Sequence, residues 1–263
     1  MTFEILTLFP GMFSSVLEAS LLGKAIEKGA LSVHLTDPRD FTRDKHRSVD
    51  DTPYGGGAGM VMRPDPLVDA IEHVENTRGR AHKIVLCPTG APLTQAVANR
   101  LAQTGRVLLL CGRYEGFDER VRGFVDEEIS LGDFVITGGE LAAMVIVDAV
   151  ARRLPGVLGN ADSPVDESHE GGALEYPQYT RPPVFRAQPV PEMLLSGNHA
   201  RIRRWRRLQA LLRTRERRPD LFARLVLSDE DRALLDTGDA REASVVGSGS
   251  AVPSRLPDTE EEP

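Results

Sequence analysis

Residues 107–116 read Val107-Leu108-Leu109-Leu110-Cys111-Gly112-Arg113-Tyr114-Glu115-Gly116. An unbroken apolar run of this length suits a strand covered on both faces of a parallel sheet. It stops at Gly112. Gly112 and Gly116 then bracket Arg113, Tyr114 and Glu115, so backbone can approach a ligand closely while three functional side chains leave one turn. Downstream, beyond an acidic bridge, Phe134 to Ile136 reads as a second strand-like piece. It runs into Thr137-Gly138-Gly139-Glu140 and an apolar helix candidate, Leu141 to Val150. Upstream, Lys83 to Cys87 reads as a strand stopped by Pro88-Thr89-Gly90. Glycine-bearing turns at successive strand ends lie where open α/β sheets hold ligands.

These turns form neither a Walker loop nor a dinucleotide fingerprint, since no Gly-Lys-Ser/Thr and no Gly-x-Gly-x-x-Gly is present. Glu115 and Glu140 in two of them suit a cationic centre or ribose hydroxyls better than phosphate. Working outward, Phe3 to Phe9 reads as the first strand, and a helix is expected from an N-cap at Ser14 or Ser15 to Ala25. A strand follows at Leu31 to Leu35. Asp37 to Arg63 has no usable period and closes on Tyr54-Gly55-Gly56-Gly57-Ala58-Gly59; so long a loop points to function. With helices at Pro66 to Glu75 and Leu93 to Ala102, the rhythm is that of an α/β domain with a mainly parallel sheet.

The net charge of −7 is unevenly placed. Residues 228–263 hold ten acids against three arginines, which accounts for all of it, whereas Arg201 to Arg218 carries nine arginines against Glu216 alone. Ile202, Trp205, Leu208, Leu211 and Leu212 give that stretch an apolar stripe, so it reads as an amphipathic helix. So many guanidinium groups favour contact with RNA or DNA over a merely solvated face. Further helices are expected at Pro219 to Val226 and Ser228 to Leu235. Cys87 and Cys111 close apolar runs, which favours buried thiols in a reducing compartment. No apolar run of spanning length and no signal-peptide pattern is present, so a cytoplasmic protein without membrane contact is expected. Asp162, Asp166, Glu167, His169 and Glu170 form an acidic run without recognised metal-ligand spacing, so no metal site is assigned.

Longer motifs now add to this reading. Leu6 to Pro10, Asp50 to Met60, Leu110 to Gly116, Gly132 to Phe134 with Thr137 to Leu141, Pro155 to Asn160, Tyr179 to Pro182, and Leu195 to His199 with Trp205-Arg206 occur in one order. In them the chain closely resembles the bacterial tRNA (guanine-N1)-methyltransferases, the TrmD family of the SPOUT class, to about residue 236. The resemblance implies a Rossmann-like α/β fold whose mainly parallel sheet holds a deep trefoil knot, with a small all-α C-terminal domain. Periodicity and composition divide the chain into an α/β domain at 1–156, a linker at 157–185, a helical domain at 186–237 and a disordered acidic tail at 238–263; the resemblance implies that the first is knotted, that the linker carries the general base and that the helical domain binds tRNA.

The resemblance further implies methyl transfer from S-adenosyl-L-methionine to N1 of guanosine 37 of tRNA, in a homodimer whose sites lie between subunits. It also suggests an Mg²⁺ requirement. The implied cofactor residues are Val85, Leu86, Cys87, Pro88, Gly112, Tyr114, Glu115, Gly116, Ser130, Leu131, Gly132, Phe134, Ile136, Gly138 and Gly139. The implied substrate residues are Asp50, Tyr54, Gly59, Ser163, Asn198, His199, Arg203 and Arg206. The catalytic arginine aligns with Arg152. The family's aspartate base aligns with Glu167, a departure that keeps the acid on a longer arm, with Asp166 beside it as the substitute. Ala142 stands where many relatives have proline. Two rival readings are a non-catalytic RNA-binding protein on the same fold, motivated by the altered aspartate, and a nucleotide-hydrolysing enzyme, which the missing phosphate-binding lysine opposes.

Overall fold

A computed structural model of the chain describes residues 1–158 and 167–246, without the side chains of 238–246. Asp166 and Ser163 therefore lie outside the described residues. The chain divides into two compact units, Met1–Pro164 and Val165–Pro263.

The first unit is built on β1 (Thr2–Leu6), β2 (Ser32–Thr36), β5 (His82–Pro92), β6 (Arg106–Cys111) and β7 (Glu127–Ser130), joined in the order β2-β1-β6-β5-β7 with every pairing parallel. Successive side chains of β6 point to opposite faces, as the pleat requires. Val107, Leu109 and Cys111 enter one apolar cluster with Phe3, Ile5 and α5 (Gly139–Ala151), while Leu108 and Leu110 enter another with Leu6 and α3 (Pro64–Arg78). The continuous apolar run is thus a strand buried on both sides. Between the long strands lie α1 (Ser14–Leu17), α2 (Ser20–Glu27), the small antiparallel pair β3 (Asp50–Asp51) and β4 (Val61–Met62), and α4 (Gln95–Leu101).

Three sequence expectations in this unit are corrected. Phe134 to Ile136 is not a strand; the edge strand is β7, within the stretch read as an acidic bridge. Its acids are compatible with pairing because each has a cation: Arg100 NH2 stands 2.8 Å from Glu127 Oε2, His82 Nε2 lies 2.7 Å from Glu127 Oε1, and Arg122 meets Glu128. Pro88-Thr89-Gly90 does not end its strand. β5 leaves β7 after Leu86 and rejoins it at Ala91, where a Cβ on Gly90 would stand 2.5 Å from the Ile129 nitrogen. Ser14 is not an N-cap either: Phe13 occupies that position, buried in the core, and the expected single helix is broken into α1 and α2.

The second unit contains a two-residue hairpin, β8 (Val184–Phe185) and β9 (Gln188–Pro189), then α6 (Glu192–Leu195), α7 (His199–Arg217), α8 (Pro219–Phe222) and α9 (Asp229–Val246). Part of the segment read as a linker packs within this unit, the Leu174 amide donating 2.8 Å to Thr214 Oγ1 and Arg213 donating 3.1 Å to the Glu175 carbonyl. α9 runs on past Gly238 to Val246, so only 247–263 of the expected tail stand outside the described residues.

Candidate active site

Three segments surround one cavity of about 420 Å³ in the first unit: the β5 excursion, the loop after β6, and the stretch from β7 to the start of α5. Its wall includes Leu86, Cys87, Pro88, Gly112, Tyr114, Glu115, Gly116, Ser130, Leu131, Phe134, Ile136, Gly138 and Gly139. Val85 and Gly132 are not in the wall. Val85 is buried in the core at 1 % exposure, and Gly132 closes the turn beneath, its amide donating to Ser130 Oγ at 3.1 Å. Thr137, within the third glycine-bearing turn, lines the cavity, as does Arg122, which sequence reasoning did not single out. Arg122 lies on the 3-10 turn Glu119–Phe124 and pairs with Glu128, a partner that sequence spacing does not indicate.

Glycines make the closeness of these loops possible. The Gly139 amide donates 2.8 Å to the Gly112 carbonyl, and a Cβ on Gly139 would sit 2.6 Å from the Cys111 Cα. A Cβ on Gly138 would fall inside the Arg113 guanidinium. Gly59 has φ +80° and faces Glu115, whose carboxylate its Cβ would overlap. The Glu115 amide donates to the Met60 carbonyl and the Met62 amide to the Gly116 carbonyl, each 2.9 Å, so the long loop is sewn to the first glycine turn.

Charge is arranged unevenly around this space. Glu140 does not face the cavity as expected: it is fully buried, accepting from Thr7 Oγ1 at 2.9 Å, with Arg113 Nε 2.9 Å from its other oxygen. Glu115 is left as the exposed carboxylate of the first turn. Glu128 is held below the usual carboxylate range, chiefly by hydrogen bonding from Arg122. Burial and the nearby Asp50 carboxylate raise the Tyr114 phenol, which joins two predicted site residues. Burial also raises the Cys111 thiol well above its ordinary value, so Cys111 is an inert core residue, whereas Cys87 is half-buried in the wall.

Arg152 caps the C-terminal end of α5, its amide donating 3.2 Å to the Asp148 carbonyl. In the second unit, Glu167 lines a separate hollow of about 240 Å³ together with Tyr176, Arg203, Arg206 and Arg207. The Arg206 guanidinium lies over the Tyr176 ring, 4.7 Å from its centroid. The arginines of α7 divide by duty. Arg207 pairs with Asp231 and Arg213 holds a carbonyl, whereas Arg201, Arg203 and Arg217 make no ion pair among the described residues. Asn198 caps α7, its Oδ1 accepting from the Arg201 amide at 3.1 Å, and His199 follows on the exposed first turn. Tyr54 projects entirely into solvent. Among the described residues no group of three or more His, Cys, Asp or Glu side chains could hold a metal ion, and no helix is long and apolar enough to cross a membrane.

Comparison with known proteins gives a consistent picture. A family model described as tRNA (Guanine-1)-methyltransferase TrmD matches residues 1–224. A tRNA (guanine-N(1)-)-methyltransferase of Myxococcus xanthus (strain DK1622) is 60% identical over 233 residues, covering 88% of this chain and 94% of the relative. Its namesake in Anaeromyxobacter sp. (strain K) is 59% identical over 238 residues, 90% of this chain and 96% of the relative. That of Geobacillus kaustophilus (strain HTA426) is 56% identical over 236 residues, 89% and 97%.

Proposed function

The chain belongs to the tRNA (guanine-1)-methyltransferase family and is a tRNA-methylating enzyme; from that premise we propose that S-adenosyl-L-methionine is its methyl donor and N1 of guanosine 37 its target. The meeting of three glycine-bearing segments around one cavity carries this reading. The cavity volume of about 420 Å³ suits a small-molecule cofactor. Leu86, Ile129, Leu131 and Ile136 offer an apolar wall, and Glu115 a carboxylate for ribose hydroxyls or a sulfonium.

Guanine N1 carries a proton at neutral pH and is not nucleophilic until that proton leaves, so the protein must supply a base. Glu167 takes this role, with Asp166 as its substitute. Negative charge then builds toward O6, and the Arg152 guanidinium stabilises it. When bound, the donor supplies a methyl group already activated by its sulfonium; the cavity's contribution is alignment. Arg203 and Arg206 serve the tRNA, as do Asp50, Tyr54, Gly59, Ser163, Asn198 and His199.

The same proposal includes a deep trefoil knot, a helical tRNA-binding domain after the linker, a cytoplasmic location, an Mg²⁺ requirement tested by chelation, and a homodimer. Supporting the knot is the close backbone approach of Gly139 to Cys111 and Gly112. Supporting the homodimer are Leu141 and Val145, one turn apart and exposed on α5, with Phe9 and Met12 also exposed. No observation favours the non-catalytic alternative.

Single-turnover methylation of a tRNA transcript carrying guanosine 37 tests the base. Glu167→Gln is expected to lose at least a hundredfold in rate and Asp166→Asn much less. Full activity in Glu167→Gln overturns the assignment.

A further inference from the structure

Glu140 is an unusual residue to bury. It opens α5 beside Gly139, yet none of its surface reaches solvent. One oxygen accepts from Thr7 Oγ1 on the loop after β1, and Thr7 is equally buried. The other stands 2.9 Å from Arg113 Nε without the alignment of a hydrogen bond, so the contact is an ion pair. Arg113 continues across the gap. One terminal nitrogen donates 3.2 Å to the Thr137 carbonyl, and the guanidinium carbon lies 4.4 Å from the Phe9 ring centroid. Its passage is what forbids a Cβ on Gly138. One side chain of the first glycine loop is thereby fastened to the second glycine loop at two points, and Arg113 itself stands in the cavity wall.

We propose that Glu140, oriented by Thr7 and paired with Arg113, is a positioning residue that fixes the spacing of the two glycine loops and so sets the affinity for the methyl donor. Breaking a buried pair from one side leaves the other charge uncompensated. A displaced Arg113 seeks water, and the cavity it lines offers it. The two loops are then joined through the Gly139 to Gly112 backbone bond without the side-chain strap. The donor must in that case order them on binding, which weakens its affinity without altering the reacting groups.

This inference rests on the reading of the cavity as the donor site, and one series of measurements separates the two. Titration calorimetry with S-adenosylhomocysteine is run on the full chain and on Glu140→Gln, Arg113→Lys and Thr7→Val. Steady-state methylation is run beside it. Arg113→Lys keeps the charge but cannot reach Glu140 and the Thr137 carbonyl together. Thr7→Val removes only the hydroxyl that orients Glu140, and decides the matter if Glu140→Gln does not fold.

The expected result is binding at least tenfold weaker for Glu140→Gln and Arg113→Lys and at least threefold weaker for Thr7→Val. For Glu140→Gln and Thr7→Val, neither of which lines the cavity, KM for the donor should rise in parallel while KM for tRNA and kcat at saturating donor stay within threefold. A generally loosened fold would instead raise both KM values and lower kcat. Variants that bind as tightly as the parent, or in which both KM values rise and kcat falls together, overturn the positioning role alone. A parent protein that binds no S-adenosylhomocysteine overturns the donor site and this inference with it.

Discussion

Arg207 grips both oxygens of Asp231, Nε standing 2.7 Å from Oδ1 and a terminal nitrogen 2.8 Å from Oδ2. Asp231 also exchanges bonds with Ser228: its amide donates to Ser228 Oγ and its carboxylate accepts from the Ser228 amide. The pair fastens the start of α9 to the arginine helix and caps it in one stroke. Asp231→Asn should cost about 2 kcal/mol, read from chemical denaturation. The Arg207 contact holds the native carboxyl at about 2, below the ordinary value near 3.9. Its stabilisation is therefore complete above pH ~4 and lost as pH falls toward 2. Asp231→Asn should remove that part of the acid sensitivity of the second unit.

The hairpin of the second unit turns through Arg186 (φ 47°) and Ala187 (φ 64°), left-handed conformations that favour Asn and Gly. Replacing Ala187 by Gly relieves a Cβ from that region and should stabilise the second unit by about 1 kcal/mol, less the entropy that glycine adds to the unfolded chain. A thermal midpoint that falls would show that the turn is not as described.

Gly139→Ala places a methyl 2.6 Å from the Cys111 Cα and 2.8 Å from the Gly112 nitrogen, where only backbone can yield. Overpacking of this kind costs about 1–3 kcal/mol. The variant should also lose S-adenosylhomocysteine binding, because both loops of the cavity must part. Gly11→Ala meets nothing within 4 Å and serves as the silent control.

Arg203 is exposed on α7 and makes no ion pair among the described residues. Arg203→Ala should weaken tRNA binding and reduce the slope of log affinity against log salt by about 1, the signature of one lost phosphate contact. An unchanged slope would remove Arg203 from the RNA surface.

Much of the fold was legible because its signals are local. Val107 to Cys111 declared a doubly buried strand by composition, and the arginine helix declared itself by the spacing of its apolar residues. β7 was hidden because Glu127 and Glu128 look unlike strand residues until Arg100, His82 and Arg122 arrive from elsewhere in the chain. Pro88-Thr89-Gly90 looked terminal because the return of β5 to β7 is a pairing, not a pattern. The cavity loops could be named from their glycines. That Glu140 turns inward could not, because its partner Thr7 lies 133 residues away.

The strand order has a consequence for synthesis. β1 finds β2 within 36 residues of the start, but its other edge is reserved for β6, which ends at Cys111. At the ribosome's pace of roughly 5–20 residues per second, that edge stays open for several seconds or more while the intervening chain is made. A nascent polypeptide of this kind offers unpaired backbone to any neighbour on the same messenger, so its window of vulnerability is set at translation and closes only when the sixth strand emerges.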